Sequence, residues 1–133
     1  MKESIQLTAR EEELMNFMWE AGVPLTSNEM QEKCTERTWS DNYLHVMLRS
    51  LKSKGLITPC GMVQYGTQYA RQFVPAMTKE QYYVRLALER GVKQSDFVQI
   101  AVAMAKEIKP EEKTQLLETL ESFIKELEKD NGV

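Results

Sequence analysis

The sequence predicts a mainly α-helical chain with a small β-hairpin, and three observations carry that expectation. Polar N-cap residues at Thr8, Thr26, Ser40, Thr78 and Ser95 each stand before apolar residues at helical spacing. After Gly55 the pattern changes to short runs rich in strand formers, punctuated by Pro59, Gly61 and Gly66. Beyond Pro75 the helical pattern returns and holds to the C-terminal region. With 133 residues, 42% of them hydrophobic and 28% charged, the composition is that of a globular protein rather than a disordered one.

The first helix opens on Thr8-Ala9-Arg10-Glu11, a capping box in which hydroxyl and carboxylate each satisfy the other residue's backbone N–H. It should run to about Ala21 and end at Gly22, with Leu14, Phe17, Met18 and Ala21 inward and Met15 and Trp19 widening that face. Thr26-Ser27-Asn28-Glu29 is a second capping box, and Leu25 and Met30 have the spacing of a hydrophobic staple. The second helix should cover roughly 27 to 36. The third has Ser40 as N-cap and Gly55 just past its end. Its Leu44, Met47, Leu48 and Leu51 form one narrow apolar face. Opposite lie Asn42, Val46, Arg49 and Ser53, flanked by His45 and Lys52 on one side and by Tyr43 and Ser50 on the other.

Leu56-Ile57-Thr58 then reads as a short strand broken by Pro59. Met62 to Tyr65 and Gln68 to Val74 read as a hairpin turning at Gly66-Thr67, while Gly61 marks either a bulge or another turn. Three helices followed by a hairpin is the order of a winged helix-turn-helix, which assigns residues 1–75 to such a domain. Residues 76–133 form a helical region. There Thr78-Lys79-Glu80-Gln81 is a third capping box with Met77 and Tyr82 as its staple, and the fourth helix should end at Gly91. Ser95 is expected to cap a fifth helix and Pro110 to occupy the first turn of a sixth. Both carry wide apolar faces, and a helix that is apolar most of the way round must be covered. The economical cover is a second copy of the chain. The expected dimerisation residues are Phe97, Ile100, Ala101 and Met104 on the fifth helix, and Leu116, Leu120, Phe123, Ile124 and Leu127 on the sixth.

A helix with a buried stripe and an opposite polar row suits the major groove of DNA. Asn42 is placed to pair with adenine, Arg49 with guanine or a phosphate, Tyr43 and His45 with a base edge or a phosphate, and Val46 with a thymine methyl. Lys52, Lys54 and Arg71 would hold the phosphate backbone. Thr26 and Ser40 cap helices whose first N–H groups could meet phosphates. The net charge of −3 opposes binding to a polyanion, but residues 37–75 hold Arg37, Arg49, Lys52, Lys54 and Arg71 against Asp41 alone. At physiological salt the distant carboxylates are screened beyond ~8 Å.

Other classes find little support. The single His45 lies on a helix surface, and no nucleophile elbow, phosphate-binding glycine loop or metal-spaced cluster occurs, so neither an enzyme nor a metal or cofactor is expected. Cys34 and Cys60 make no disulfide framework, and the eight methionines fall mainly on apolar faces. No apolar run approaches the ~20 residues of a membrane span, and MKESIQLTAR is not a signal peptide, so a cytoplasmic setting is expected. The rival to DNA binding is a winged helix used as a protein-interaction or ligand-sensing module.

The ordered set LTAREEELMNFMWEAG, PLTSNEM, WSDNYLHVMLRSLKSKGLI and YARQFVPAMTKEQY, followed by three helices, resembles the penicillinase-repressor family of winged-helix regulators. The resemblance implies an N-terminal domain that binds palindromic operator DNA, a C-terminal region that dimerises, and repression of transcription. This chain departs from the family's pattern in three places. Asn42, Tyr43, His45 and Val46 stand where the family usually carries lysine, threonine and arginine, and the stretch from Ile57 to Tyr69 is longer than usual. The resemblance also implies an inactivating protease that cuts an Asn-Phe bond, but the corresponding place here holds Ala101-Val102.

Overall fold

The computed structural model describes residues 4–130, and the chain divides into two compact units, the first ending at Gly91 and the second beginning at Val92. The first contains α1 (Ala9–Ala21), β1 (Leu25–Thr26), α2 (Ser27–Lys33), α3 (Asp41–Ser53), β2 (Ile57–Tyr65), β3 (Gln68–Pro75) and α4 (Lys79–Glu89). The second contains α5 (Phe97–Glu107) and α6 (Lys113–Asp130), each entered through a one-turn 3₁₀ segment, Gln94–Asp96 and Pro110–Glu112.

All three capping boxes form. Thr8, Thr26 and Thr78 each accept from the backbone N–H three residues on, and Glu11, Glu29 and Gln81 each return the bond. The staple pairs are buried with them: Leu25 and Met30 fully, Met77 and Tyr82 nearly so. Leu44, Met47, Leu48 and Leu51 of α3 meet Leu14, Met15 and Met18 of α1 in one core that also holds Trp39, Leu56 and Ile57. The end of α3 is a Schellman motif, in which Leu56 N–H donates to Leu51 O (2.9 Å) and Gly55 N–H to Lys52 O (3.1 Å). Gly55 takes φ +78° there, a conformation that an L side chain rarely adopts.

The strands order β1-β3-β2, all antiparallel. Pro59 does not break the strand as the sequence suggested. β2 is an edge strand, where a residue without an N–H is tolerated, and the irregularity falls between Pro59 and Gly61 as a bulge at Cys60. A side chain at Gly61 would press on Gln72, its Cβ lying 3.1 Å from Oε1. The turn at Gly66-Thr67 is as expected, closing on the pair Tyr65↔Gln68. The two-residue β1 was not foreseen.

Other differences have local causes. α2 stops at Lys33 rather than near residue 36, because the Arg37 guanidinium reaches back to the carbonyls of Gln31 and Cys34 and closes that end. Ser95 is not an N-cap. It lies inside the 3₁₀ turn, where Asp96 Oδ2 accepts from Lys93 N–H (3.0 Å). The first unit also reaches beyond residue 75 and includes α4, since Tyr82 enters the core and Trp19 Nε1–H donates to Met77 O (2.9 Å). Among the described residues, no helix is long and apolar enough to cross a membrane.

Candidate nucleic-acid interface

The outward face of α3 follows from its inward one. Because Leu44, Met47, Leu48 and Leu51 are buried, the helical period turns Asn42, His45, Val46, Arg49, Lys52 and Ser53 outward, and all six are exposed. Val46 is 53% exposed, an apolar group amid polar neighbours. Ser40 caps the helix through Tyr43 N–H (3.2 Å) and is itself exposed. Among the described residues, no ion pair holds Arg49, Lys52 or Arg71.

The structure separates the expected contacts into two groups. Tyr43, Ser50 and Lys54 recur seven and four residues apart and line the flank of α3 that faces α1. Tyr43 is half-buried, with the Arg10 guanidinium 5.3 Å from its ring centroid. Lys54 corrects the sequence expectation most sharply: its Nζ lies 2.6 Å from Glu11 Oε1 and 2.9 Å from Gln6 O, with only 9% of the side chain exposed. Its charge is engaged inside the domain rather than turned outward. Thr26 is itself fully buried, and its hydroxyl accepts from Glu29 N–H, one of the first N–H groups of α2 that the sequence reading had offered to a phosphate. Arg37 is also engaged, paired with Asp41 at 2.7 Å and lying over the Trp39 ring.

Burial raises the Glu11 carboxyl, but hydrogen bonds from Lys54, Ser50 and the Thr8 backbone outweigh it, and the net shift is below the ordinary carboxylate value. For Glu29 the Thr26 N–H is the main cause of a shift in the same direction. Burial pushes the Cys34 thiol up, and the Glu13 carboxylate adds to this, so that thiol is a poor nucleophile at neutral pH.

On the hairpin, the register Met62↔Arg71 and Gln64↔Tyr69 puts these four residues on one face, and all are exposed. The sequence reading singled out Arg71 alone on this face and did not name Gln64 or Tyr69 beside it, nor Arg10 beside Tyr43. The alternation Tyr69-Arg71 signals a shared face, and Gln64 joins it through the two-residue turn at Gly66-Thr67.

In the second unit no residue of α5 or α6 is buried. Phe97, Ile100, Ala101 and Met104 are exposed, as are Leu120, Phe123, Ile124 and Leu127, and Leu116 is half-buried. Each set follows helical spacing, so each helix carries an uncovered apolar stripe.

A sequence profile of the penicillinase repressor family matches residues 7–122. Comparison with curated proteins by sequence returns no match. Among solved structures, a MepR variant from a multidrug resistant S. aureus clinical isolate is 16% identical, with 92% of this chain covering 80% of that one at a TM-score of 0.44. ZitR of Lactococcus lactis, a zinc-responsive MarR family member, is 14% identical, with 95% of this chain covering 80% of that one at 0.43. A complex of ZitR with DNA aligns at 16% identity, 95% and 79% coverage and a TM-score of 0.39.

Proposed function

The chain belongs to the penicillinase repressor family of DNA-binding transcriptional regulators, and we propose that it represses transcription by occupying a palindromic operator as a homodimer. The single observation carrying this reading is the exposed row Asn42, His45, Val46, Arg49 on a helix whose opposite row is buried. Asn42 stands where it can present its amide to adenine N6 and N7, and Arg49 its fork to guanine O6 and N7. Val46 meets a thymine methyl and His45 a base edge or a phosphate. Lys52 and Arg71 hold the backbone, joined by Arg10, which the structure sets beside Tyr43. Lys54 and the Thr26 side chain take no part.

The dimer is supported by the uncovered stripes of α5 and α6. Fully burying one leucine or phenylalanine is worth ~1.5–3 kcal/mol, and helices without a single buried residue gain that only from a partner. Two linked winged helices also bind far more tightly than one, because the second contact becomes intramolecular. Repression then follows from occupancy of a promoter.

Selection of bound sequences from a random duplex pool tests the reading. The expected product is an inverted repeat with half-sites about one helical turn apart, 10–10.5 bp. A motif without a repeat removes the dimer, and no enrichment at low salt removes specific DNA recognition.

A second reading, in which a small ligand tunes the affinity for DNA, is favoured by one observation. A groove of about 690 Å³ between α1 and the β3–α4 connection is lined by Trp19, Val23, Val74 and Met77.

A further inference from the structure

The segment before α1 is tied to two helices at once. On one side, Ser4 Oγ–H donates to Glu89 Oε2 (2.8 Å), Ile5 N–H to Glu89 Oε1 (3.2 Å) and Leu7 N–H to the Tyr82 hydroxyl oxygen (3.0 Å), and Arg90 donates to the Gln6 side chain. All three partners lie on α4 or at its C-cap. On the other side, Gln6 O accepts from Lys54 Nζ (2.9 Å), and Lys54 is the C-cap residue of α3. Leu7 is buried and Ile5 is packed against the core, so residues 4–8 form a fixed strap. Glu11, at the start of the helix that the strap enters, holds the same lysine.

We infer that this strap is a positioning element for DNA recognition: through Tyr82 and Lys54 it fixes the end of α3 against α4 and thereby sets the half-site spacing that the dimer accepts. The inference rests on the dimeric DNA-binding reading above. In a two-fold dimer, the separation of the recognition helices depends on every joint between α3 and the dimer contacts, and the chain leaves the first unit through α4. One base pair shifts a half-site by about 3.4 Å and turns it by about 34–36° about the duplex axis, so choosing between neighbouring spacings needs joints that hold α3 in both position and angle. A looser joint widens the set of positions and angles open to α3 and so lowers that discrimination. Tyr82, Glu89 and Lys54 touch no base or phosphate in this scheme and act only through where they hold α3.

The experiment compares the full chain with two variants and their combination. Tyr82→Phe/Glu89→Ala/Arg90→Ala removes all the strap's bonds to α4 and leaves the buried ring in place. Glu11→Gln/Lys54→Met cuts it from α3, with a carboxamide kept at position 11 for the capping box and no buried charge left unpaired. Dissociation constants are measured on the selected operator and on operators with the spacer one base pair longer or shorter. Circular dichroism and sedimentation check fold and dimer. The wild-type protein should prefer one spacing, and each variant should lower that preference ratio by about two- to thirtyfold, the range over which single side chains modulate coupling. Because the two cuts lie in series on one link, the combined variant should lose no more than the larger single loss. If one variant does not fold, the other carries the test. A variant that binds every spacing more weakly but keeps the ratio overturns the inference, and so do cuts whose effects on the ratio multiply. A wild-type protein without any spacing preference overturns the dimeric operator reading as well.

Discussion

Lys52 and Lys54 lie two residues apart at the end of one helix, yet alanine at each should produce opposite effects. Lys52 is exposed and outside every ion pair among the described residues. If each protomer uses it on one phosphate, Lys52→Ala removes two contacts from the dimer. At about 0.9 per contact, the slope of log affinity against log salt should fall by about 1.8 units. Fold stability should stay within ±0.5 kcal/mol, as for most exposed sites. Lys54 has the reverse profile, since its partner Glu11 lies 2.6 Å away with only 4% of its side chain exposed. Lys54→Ala leaves that carboxylate buried without its cation, which costs about 3–5 kcal/mol, and the salt slope should not move. Anisotropy of a labelled operator over a potassium chloride series reads the first quantity and urea unfolding reads the second. Equal slope losses in the two variants, with equal stability, would refute the assignment of these lysines to different jobs.

Three further outcomes are expected. Arg49→Ala should cost ~1–3 kcal/mol on the best operator and relax the preference at one base pair per half-site, checked by repeating the pool selection with the variant. Leu120→Asp, a charge placed in the uncovered stripe of α6, should yield monomers in sedimentation and abolish operator binding, while circular dichroism still shows the winged helix folded. The lowered carboxyl of Glu11 makes its contribution to stability fully present above the ordinary value of 4.5 and lost as pH falls through the folded value. Urea unfolding should therefore weaken steadily below pH 4.5, and Glu11→Gln should be less stable at neutral pH and less sensitive to acid. An unchanged slope against pH in that variant would assign the acid sensitivity to other carboxylates.

What was legible in the sequence is what short-range chemistry determines. The capping boxes at Thr8, Thr26 and Thr78, the staples beside the last two, and the end of α3 at Gly55 each involve residues no more than about six apart. The buried and exposed rows of α3 follow from period alone, and so did the choice of Asn42, Val46 and Arg49. The tip of the wing was legible from its turn, but the register at its base was not, because it depends on a bulge at Cys60 that only pairing with β3 fixes. β1 is two residues long and exists only because β3 lies beside it. Lys54 was misplaced because its partners are Glu11, 43 positions away, and Gln6, 48 positions away. The heptad-like spacing Tyr43-Ser50-Lys54 was the available hint that this flank faces inward. The strap of residues 4–8 has no sequence signature, since three of its bonds use backbone N–H and carbonyl groups that every residue carries.

The chain's single histidine, His45, sits on the outward face of α3, so the imidazole Hδ2 and Hε1 signals of a proton NMR spectrum come from that residue alone. Titrating the full chain with the selected operator, and with a scrambled duplex at matched salt, reads that surface without further assignment. The His45 resonance should shift or broaden in proportion to operator bound and should be far less affected by the scrambled duplex. A His45 signal unmoved at operator saturation would place the DNA elsewhere and contradict recognition through α3.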